Sequence, residues 1–148
     1  MSDPASRSYP DRPFACALAV CRRGERIFLA RRAMGPGIGR WGFPGGMQEP
    51  GETVHACAQR ELEEETGIAA DPVATLQVID RIGHDDAGKV KTHFTLIAVL
   101  LQWRSGEGKP IEDATALAWL TPEEARVRGL ELFPHALELM ETALGHRG

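Results

Sequence analysis

A cluster of three glutamates near the end of one predicted helix constrains this chain more than any other feature. Glu61, Glu64 and Glu65 belong to the stretch GMQEPGETVHACAQRELEEETGI, which runs from Gly46 to Ile68. Residues three and four apart lie on the same face of an α-helix, so the three carboxylates share one side. The apolar stripe that should dock this helix, which includes Cys57, leads directly into the acids. A position that should face the core has therefore become a carboxylate position.

The spacing of these acids does not stabilise a helix. Like charges at such separations repel by about 0.2–0.5 kcal/mol per pair, and Gly67, the predicted C-cap, puts all three near the negative end of the helix dipole. A hard divalent cation such as Mg²⁺ or Mn²⁺ would reverse both effects, because it binds several oxygen ligands at once. The alternative is a solvated acidic surface, which is what we expect for Glu63 on the opposite face.

The residues around the acids follow a longer pattern, G-x5-E-x7-R-E-U-x-E-E-x-G-U, in which U is a bulky aliphatic residue. Its positions are Gly46, Glu52, Arg60, Glu61, Leu62, Glu64, Glu65, Gly67 and Ile68. A chance match is on the order of 10⁻⁸ per starting position at ordinary residue frequencies. The pattern resembles the Nudix box at every position. The preceding WGFPGG and the following WLTPEE are also similar to segments of that family, so the resemblance covers roughly residues 14–140.

The resemblance implies an enzyme that hydrolyses a nucleoside diphosphate linked to another group, X, with metals held by the box helix. It also implies an α/β fold, a Nudix-type α/β/α sandwich with a mixed central sheet. Length agrees, because 148 residues with 43% apolar side chains make one core of ordinary size. We predict a single domain over residues 14–148. Residues 1–13, which hold three prolines and no apolar run, are expected to form a flexible tail.

Hydrophobic patterns along the chain predict alternating strands and helices. The predicted strands cover residues 14–22, 26–31, 76–82, 92–103 and 114–120. Pro122 suits the first turn of a short helix, and residues 133–144 carry the apolar spacing of an amphipathic helix. Together with the box helix, these elements fit the sandwich.

The resemblance also assigns roles within the predicted metal site. The metal ligands would be Glu61, Glu64, Glu65 and the carbonyl of Gly45, where a Gly-Gly sequence lets the backbone pass close to the ions. Family members often add a glutamate from the loop before the last strand, here Glu112, although loop acids are usually just solvated. The proton of the attacking water would pass to one of the three catalytic glutamates, with Glu61 preferred, or to Glu112.

Other residues are expected to support this site. By resemblance, Glu52 and Arg60 form an ion pair that orients the metal ligands. Arg32, at the end of the second strand, matches a position that contacts substrate phosphate in similar family members, although an arginine at a strand end is more often solvated. Phe43, just before the box, and Gly46, the first residue of the box, are the other substrate-binding candidates.

The sequence constrains the identity of the group X less than it constrains the type of reaction. Residues 78–103 resemble Nudix proteins described as ADP-ribose pyrophosphatase-like, which makes an ADP-sugar, cleaved to AMP and a sugar phosphate, the first choice. The proline of the best-defined ADP-ribose subfamily, expected near Gly83 or His84, is absent. A (deoxy)nucleoside triphosphate, cleaved to the monophosphate and pyrophosphate, is the second choice. A non-catalytic module that senses nucleotides would be expected to lose box carboxylates, and all of them are present.

Charge and cysteine content limit the partners and the location. Seventeen basic and 21 acidic residues give a net charge of −4, which argues against a broad nucleic-acid-binding surface. The longest early apolar run, residues 14–21, is far too short for a membrane span, so we expect a cytoplasmic protein. Cys16 and Cys21 should face opposite sides of one strand, and all three cysteines are expected to be reduced. The oligomeric state stays open, although members of the family often form homodimers.

Overall fold

The computed structural model describes residues 7–35, 37–109 and 114–148 of the chain. Seven strands and three helices lie within these ranges. The strands are β1 (Phe14–Arg23), β2 (Arg26–Arg32), β3 (Trp41–Gly42), β4 (Gly45–Met47), β5 (Ala69–His84), β6 (Val90–Ser105) and β7 (Ala114–Leu120). The helices are α1 (Val54–Thr66), α2 (Pro122–Val127) and α3 (Ala136–Gly145).

The strands form one mixed sheet. Its order is β3-β2-β1-β6-β5, with β4 paired to β1 and β7 paired to β2. β1 and β6 run parallel over nine residue pairs, from Phe14–Phe94 to Arg22–Gln102. The pairs β1–β2, β1–β4, β2–β3, β2–β7 and β5–β6 are antiparallel. The predicted mixed α/β sheet is thus confirmed.

Each face of the sheet carries its own hydrophobic core. Alternate residues of a strand point to opposite faces, and β1 supplies both. Cys16 and Val20 lie in the cluster that Met140 of α3 covers, which we call the α3-side core. Ala17 and Cys21 lie in the cluster that α1 covers, the α1-side core. Helices on both faces of the sheet make the predicted α/β/α sandwich.

Helix α1 begins and ends with specific capping contacts. The side chain of Thr53 accepts a hydrogen bond from the N–H of Ala56 at 3.0 Å, which is an N-cap bond. Gly67 ends the helix with φ 76°, in the left-handed region that favours glycine, and its N–H donates to the carbonyl of Glu63. The predicted C-cap is confirmed. These caps place the acidic residues in the last two turns of α1.

Two elements differ from the sequence prediction. The β5–β6 hairpin is longer at both ends, because the alternation of β5 is interrupted by irregularities between Pro72 and Ala74 and between Thr75 and Gln77. Helix α3 begins at Ala136 and not at residue 133, since His135 adopts φ 71° and turns the chain just before it.

The cysteines are free and buried, as expected. Burial raises the pKa of Cys16 to about 11 and that of Cys21 to about 12, so both thiols stay protonated at neutral pH.

The segment before β1 contacts strand β6. The N–H of Tyr9 donates to the carbonyl of Lys91 at 2.8 Å. The flexible tail and the domain boundary at residue 14 stay predictions, and β1 begins at that residue. Among the residues described, no helix is long and apolar enough to cross a membrane.

Candidate active site

The acidic face of α1 lies against β4, and two glycines permit this approach. β4 pairs with β1, with Gly46 opposite Ala17. A Cβ atom at Gly46 would overlap the carboxylate of Glu61, and one at Gly45 would overlap the carbonyl of Ala17. The N–H of Gly45 donates to Glu65 Oε2 at 3.1 Å. Only glycine fits at either position without a shift of its neighbours, so the Gly-Gly sequence brings backbone and carboxylates together.

Arg60 is the centre of the polar network around the acids. Its Nε donates to Glu52 Oε2 at 2.6 Å and its Nη2 to Glu52 Oε1 at 2.9 Å, which makes a bidentate pair. Its Nη1 donates to Glu61 Oε1 at 3.0 Å and to Glu64 Oε2 at 3.1 Å. Nη2 also donates to the carbonyl of Met47 at 3.3 Å, which ties α1 to β4. The geometry of the expected Glu52–Arg60 pair is therefore present.

The same network corrects one expectation from the acidic spacing. The sequence suggested three glutamates that repel one another with nothing in the helix to offset the repulsion. In the structure, the Arg60 guanidinium bonds both Glu61 and Glu64, so one cation already stands between two of the three acids. The helix is less strained electrostatically than its spacing implies, because Arg60 points along the same face.

Arg60 and burial shift the neighbouring carboxylates in opposite directions. Hydrogen bonds from Arg60 lower the pKa of Glu52 to about 2. Burial raises the pKa of Glu61, and Glu64 and Glu52 add to this by repulsion, whereas Arg60 opposes it. Glu52 is consequently ionised at any neutral pH. An added cation beside Glu61 would favour the charged form of this partly buried acid and so oppose the effect of burial on its pKa.

The donor set fits a hard metal ion only after a small rearrangement. No three His, Cys, Asp or Glu side chains in the described part of the chain converge closely enough to hold one. Glu61 and Glu64 turn to Arg60, whereas Glu65 turns to Gly45. The side chain of Glu64 is 60% exposed and bonded to Arg60, so it would have to leave Arg60 to share an ion with Glu61. Carboxylate and carbonyl oxygens are the ligands that Mg²⁺ and Mn²⁺ prefer, so these residues fit either ion.

The predicted substrate-binding residues lie on or between strands β2, β3 and β4. Phe43 lies between β3 and β4, is partly buried and packs on the α3-side core. Arg32 is exposed at the end of β2, and its side chain lies against Gly35. Gly46 lies on β4 against the carboxylate of Glu61 and so faces α1. Phe43 and Gly46 therefore lie toward opposite faces of the sheet.

Two residues that the sequence did not single out lie nearby. The guanidinium of Arg81, on β5, lies over the ring of Phe133, 5.8 Å from its centroid. Arg32 and Arg40 stand close enough to lower the pKa of Arg81, an effect second to that of burial. Period-two spacing after Ile79 puts Arg81 on the core face of β5, and this was the signal available in the sequence.

Glu112, the remaining candidate ligand, lies outside the described residues. The described part of its loop is held near the C-terminal end of α1. Lys109 donates its N–H to the carbonyl of Thr66 at 2.8 Å, and Glu107 forms an ion pair with Arg23 at 2.9 Å. The loop therefore reaches the acidic end of α1 by residue 109.

The chain is similar in sequence and in fold to known proteins. The NUDIX domain model matches residues 11–141. A "Putative 8-oxo-dGTP diphosphatase 2" of Mycobacterium tuberculosis is 41% identical over 103 residues, 69% of this chain and 69% of that protein. An ADP-ribose pyrophosphatase of Methanocaldococcus jannaschii is 31% identical over 102 residues, 69% of this chain and 58% of that protein. A crystal structure of a MutT NUDIX hydrolase from Burkholderia pseudomallei superposes with a TM-score of 0.74 at 30% identity, over 89% of this chain and 98% of that one. The chain belongs to the Nudix hydrolase family and is an enzyme of the pyrophosphohydrolase type.

Proposed function

We propose that this enzyme hydrolyses a phosphoanhydride bond of a nucleotide with the help of Mg²⁺, or of Mn²⁺ in its place. The observation that carries the proposal is the contact between β4 and the acidic face of α1. Glu61 packs on Gly46, Glu65 accepts the N–H of Gly45, and Arg60 joins the acids to the strand. This contact gathers carboxylates beside the partly buried backbone of β4, and carboxylate and carbonyl oxygens are the ligands that a hard cation requires.

Each residue of the proposed site would have a specific role in hydrolysis. Glu61, Glu64, Glu65 and the Gly45 carbonyl would hold the cation, with Glu112 as a further candidate. A bound Mg²⁺ would neutralise phosphate charge and lower the pKa of a water molecule. Glu61 Oε2, the carboxylate oxygen for which no Arg60 bond is seen, would accept the proton of the attacking water. Arg60 and Glu52 would keep these carboxylates oriented.

A nucleoside triphosphate, cleaved to the monophosphate and pyrophosphate, is our first substrate candidate. The order of preference from the sequence is thereby reversed. The relative named as an 8-oxo-dGTP diphosphatase is 41% identical, whereas the one named as an ADP-ribose pyrophosphatase is 31% identical over the same share of this chain. The second candidate is an ADP-sugar such as ADP-ribose, which would give AMP and a sugar phosphate, and the resemblance of residues 78–103 favours it.

A substrate screen with product identification tests both candidates. Nucleoside triphosphates, ADP-ribose, other ADP-sugars and dinucleotides would be incubated with Mg²⁺, with Glu65→Gln as the control for contaminating hydrolases. The highest kcat/KM should belong to a triphosphate that releases pyrophosphate. Faster release of AMP from ADP-ribose would establish the second candidate. Turnover of none of them would point to a nucleotide-sensing module.

Location and assembly complete the proposal. A cytoplasmic enzyme fits the supply of nucleotides and the reduced state expected for three free cysteines. A homodimer is the other form that we propose to test, by sedimentation at micromolar protein. The proposed hydrolysis does not depend on the location or on the oligomeric state.

A further inference from the structure

Arg23, the last residue of β1, contacts two tryptophans and a glutamate. Its guanidinium carbon lies 4.0 Å from the centroid of the Trp103 ring and 5.4 Å from that of the Trp119 ring. Its Nη1 forms an ion pair with Glu107 at 2.9 Å. Two cation–π contacts and one ion pair therefore converge on a single arginine, beside the loop that follows β6.

The same two tryptophans hold the backbone of that loop. The indole N–H of Trp103 donates to the carbonyl of Gly106 at 2.7 Å. The indole N–H of Trp119 donates to the carbonyl of Glu107 at 2.9 Å. Side chains from β1, β6 and β7 thus fix residues 106–109, which we call the 106–109 loop.

The 106–109 loop also contacts the end of α1. The N–H of Lys109 donates to the carbonyl of Thr66, the last residue of the helix, at 2.8 Å. An added Cβ at Gly106 would lie 3.0 Å from the carbonyl oxygen of Gly67, so the loop packs directly on the C-cap. The last carbonyls of a helix have no partner within it, and chain ends and loops open more readily than a core. The loop therefore supplies a donor that the last turn lacks, one residue beyond Glu65.

We propose that Arg23 is a positioning residue for the metal site, which it supports through the 106–109 loop and the last turn of α1. That turn carries Glu64 and Glu65, so its opening would displace two of the proposed ligands together. An ion that needs both ligands binds only the closed turn, and its apparent affinity falls with the fraction of closed turn. The inference rests on the proposed metal-dependent reaction and adds a residue from the opposite side of the loop.

The Mg²⁺ dependence of hydrolysis distinguishes positioning from a general effect on folding. Arg23→Gln should raise the Mg²⁺ concentration for half-maximal activity about threefold, because the turn would be open for part of the time. At saturating Mg²⁺ the kcat should return to the wild-type value, since excess ion selects the closed turn. Loss of folded protein would instead lower kcat at every Mg²⁺ concentration. Arg23→Lys keeps the charge without the planar group and should give an intermediate requirement.

Hydrogen exchange, measured with EDTA present, supplies a readout that needs no turnover. The N–H groups of Lys109 and Gly67 both donate to carbonyls in the last turn of α1. In Arg23→Gln they should exchange about three- to tenfold faster, the scale of a cation–π contact together with an exposed ion pair. Added Mg²⁺ should slow both exchange rates in wild type, because the coupling between two sites is reciprocal.

The matched control is Arg26→Gln. Arg26 pairs with Arg23 across the β1–β2 turn, and its exposed ion pair is with Glu124 of α2. This variant should leave the exchange rates and the Mg²⁺ requirement unchanged. Wild-type exchange at Lys109 in Arg23→Gln, or faster exchange with a wild-type Mg²⁺ requirement, would overturn the proposal. Slowing of exchange by Mg²⁺ in a wild type that hydrolyses no nucleotide would refute the proposed function and support the link from the loop to the metal site.

Discussion

The guanidinium of Arg60 holds the carboxylate of Glu52 by two hydrogen bonds, at 2.6 and 2.9 Å, and with its remaining nitrogen reaches Glu61 and Glu64. The side chain of Glu52 is 14% exposed and that of Arg60 is 23% exposed. A pair this shielded contributes more than an ordinary surface ion pair. Glu52 thus fixes Arg60, and Arg60 fixes two of the proposed metal ligands.

Glu52→Gln should destabilise the protein at pH 7 by about 1–3 kcal/mol, because a charged donor loses its charged acceptor. The pKa of Glu52 falls from 4.5 to about 2 on folding. Its stabilisation is therefore complete above about pH 4.5 and is lost as the pH falls toward 2. Urea unfolding of both proteins at several pH values should show their free-energy difference shrinking in that window. A difference that stays constant from pH 7 to pH 2.5 would show that the pair acts through packing alone.

Activity should depend strictly on a divalent cation. The three acids of α1 carry more negative charge than Arg60 alone balances, because Arg60 is shared with Glu52. Exhaustive chelation should abolish hydrolysis, and Mg²⁺ or Mn²⁺ should restore it. Full activity in excess EDTA would disprove the proposed role of the acids.

Glu64→Gln should separate function from stability at the end of α1. Its carboxylate is exposed and pairs with Arg60 at an i,i+4 spacing, which is worth about 0.3–0.5 kcal/mol. Loss of this pair is opposed by relief of repulsion from Glu61, so without metal the variant should unfold within about 0.5 kcal/mol of wild type. Hydrolysis should nevertheless fall severely.

Thermal unfolding with EDTA and with Mg²⁺ supplies the second readout for Glu64→Gln. Binding to the folded state stabilises by RT ln(1 + [L]/Kd), so millimolar Mg²⁺ should raise the Tm of wild type more than that of the variant. Glu63→Gln, on the exposed opposite face, is the matched control and should keep both activity and the Mg²⁺ shift. An equal shift in all three proteins would place the ion elsewhere.

The parts of the fold that rest on local pattern could be predicted from the sequence. The C-cap at Gly67 and the opposite facing of Cys16 and Cys21 follow from helix and strand periodicity, and both are observed. The start of α3 could not be predicted in this way. His135 turns the chain by a positive φ that its residue type does not require, and the apolar pattern continues through the turn.

The candidate site shows the same division. The Nudix-box pattern predicts which acids share a helix face, and the family resemblance predicts Glu52 as the partner of Arg60. It does not show that Arg60 also bonds Glu61 and Glu64, because that depends on a rotamer set by the Met47 carbonyl across the α1–β4 contact. The approach of Arg81 to Phe133 joins residues far apart in the chain, and only the tertiary fold brings them together.

Gly46→Ala should impair the site while the fold survives. The backbone of Gly46 is not in the left-handed region, so alanine introduces no backbone strain there. Its Cβ would overlap the carboxylate of Glu61, which is the far end of a flexible side chain and can move aside. The free energy of unfolding should then change by no more than about 1 kcal/mol. Glu61 would be displaced from both β4 and Arg60, and misplacement of a reacting group by about 1 Å can cost about 100-fold in rate.

Gly145→Ala is the matched control for Gly46→Ala. Gly145 lies in the last turn of α3, has no positive φ, and an added Cβ there meets nothing within 4 Å. This variant should keep full kcat/KM and gain up to about 1 kcal/mol in stability, since alanine is the better helix former. In Gly46→Ala, by contrast, the Mg²⁺ concentration for half-maximal activity should rise as kcat falls, because Glu61 holds the ion in the proposed mechanism. Wild-type kcat with an unchanged Mg²⁺ requirement would show that the working enzyme does not keep Glu61 against β4. The reaction would then have to depend on Glu64, Glu65 and Gly45 without it.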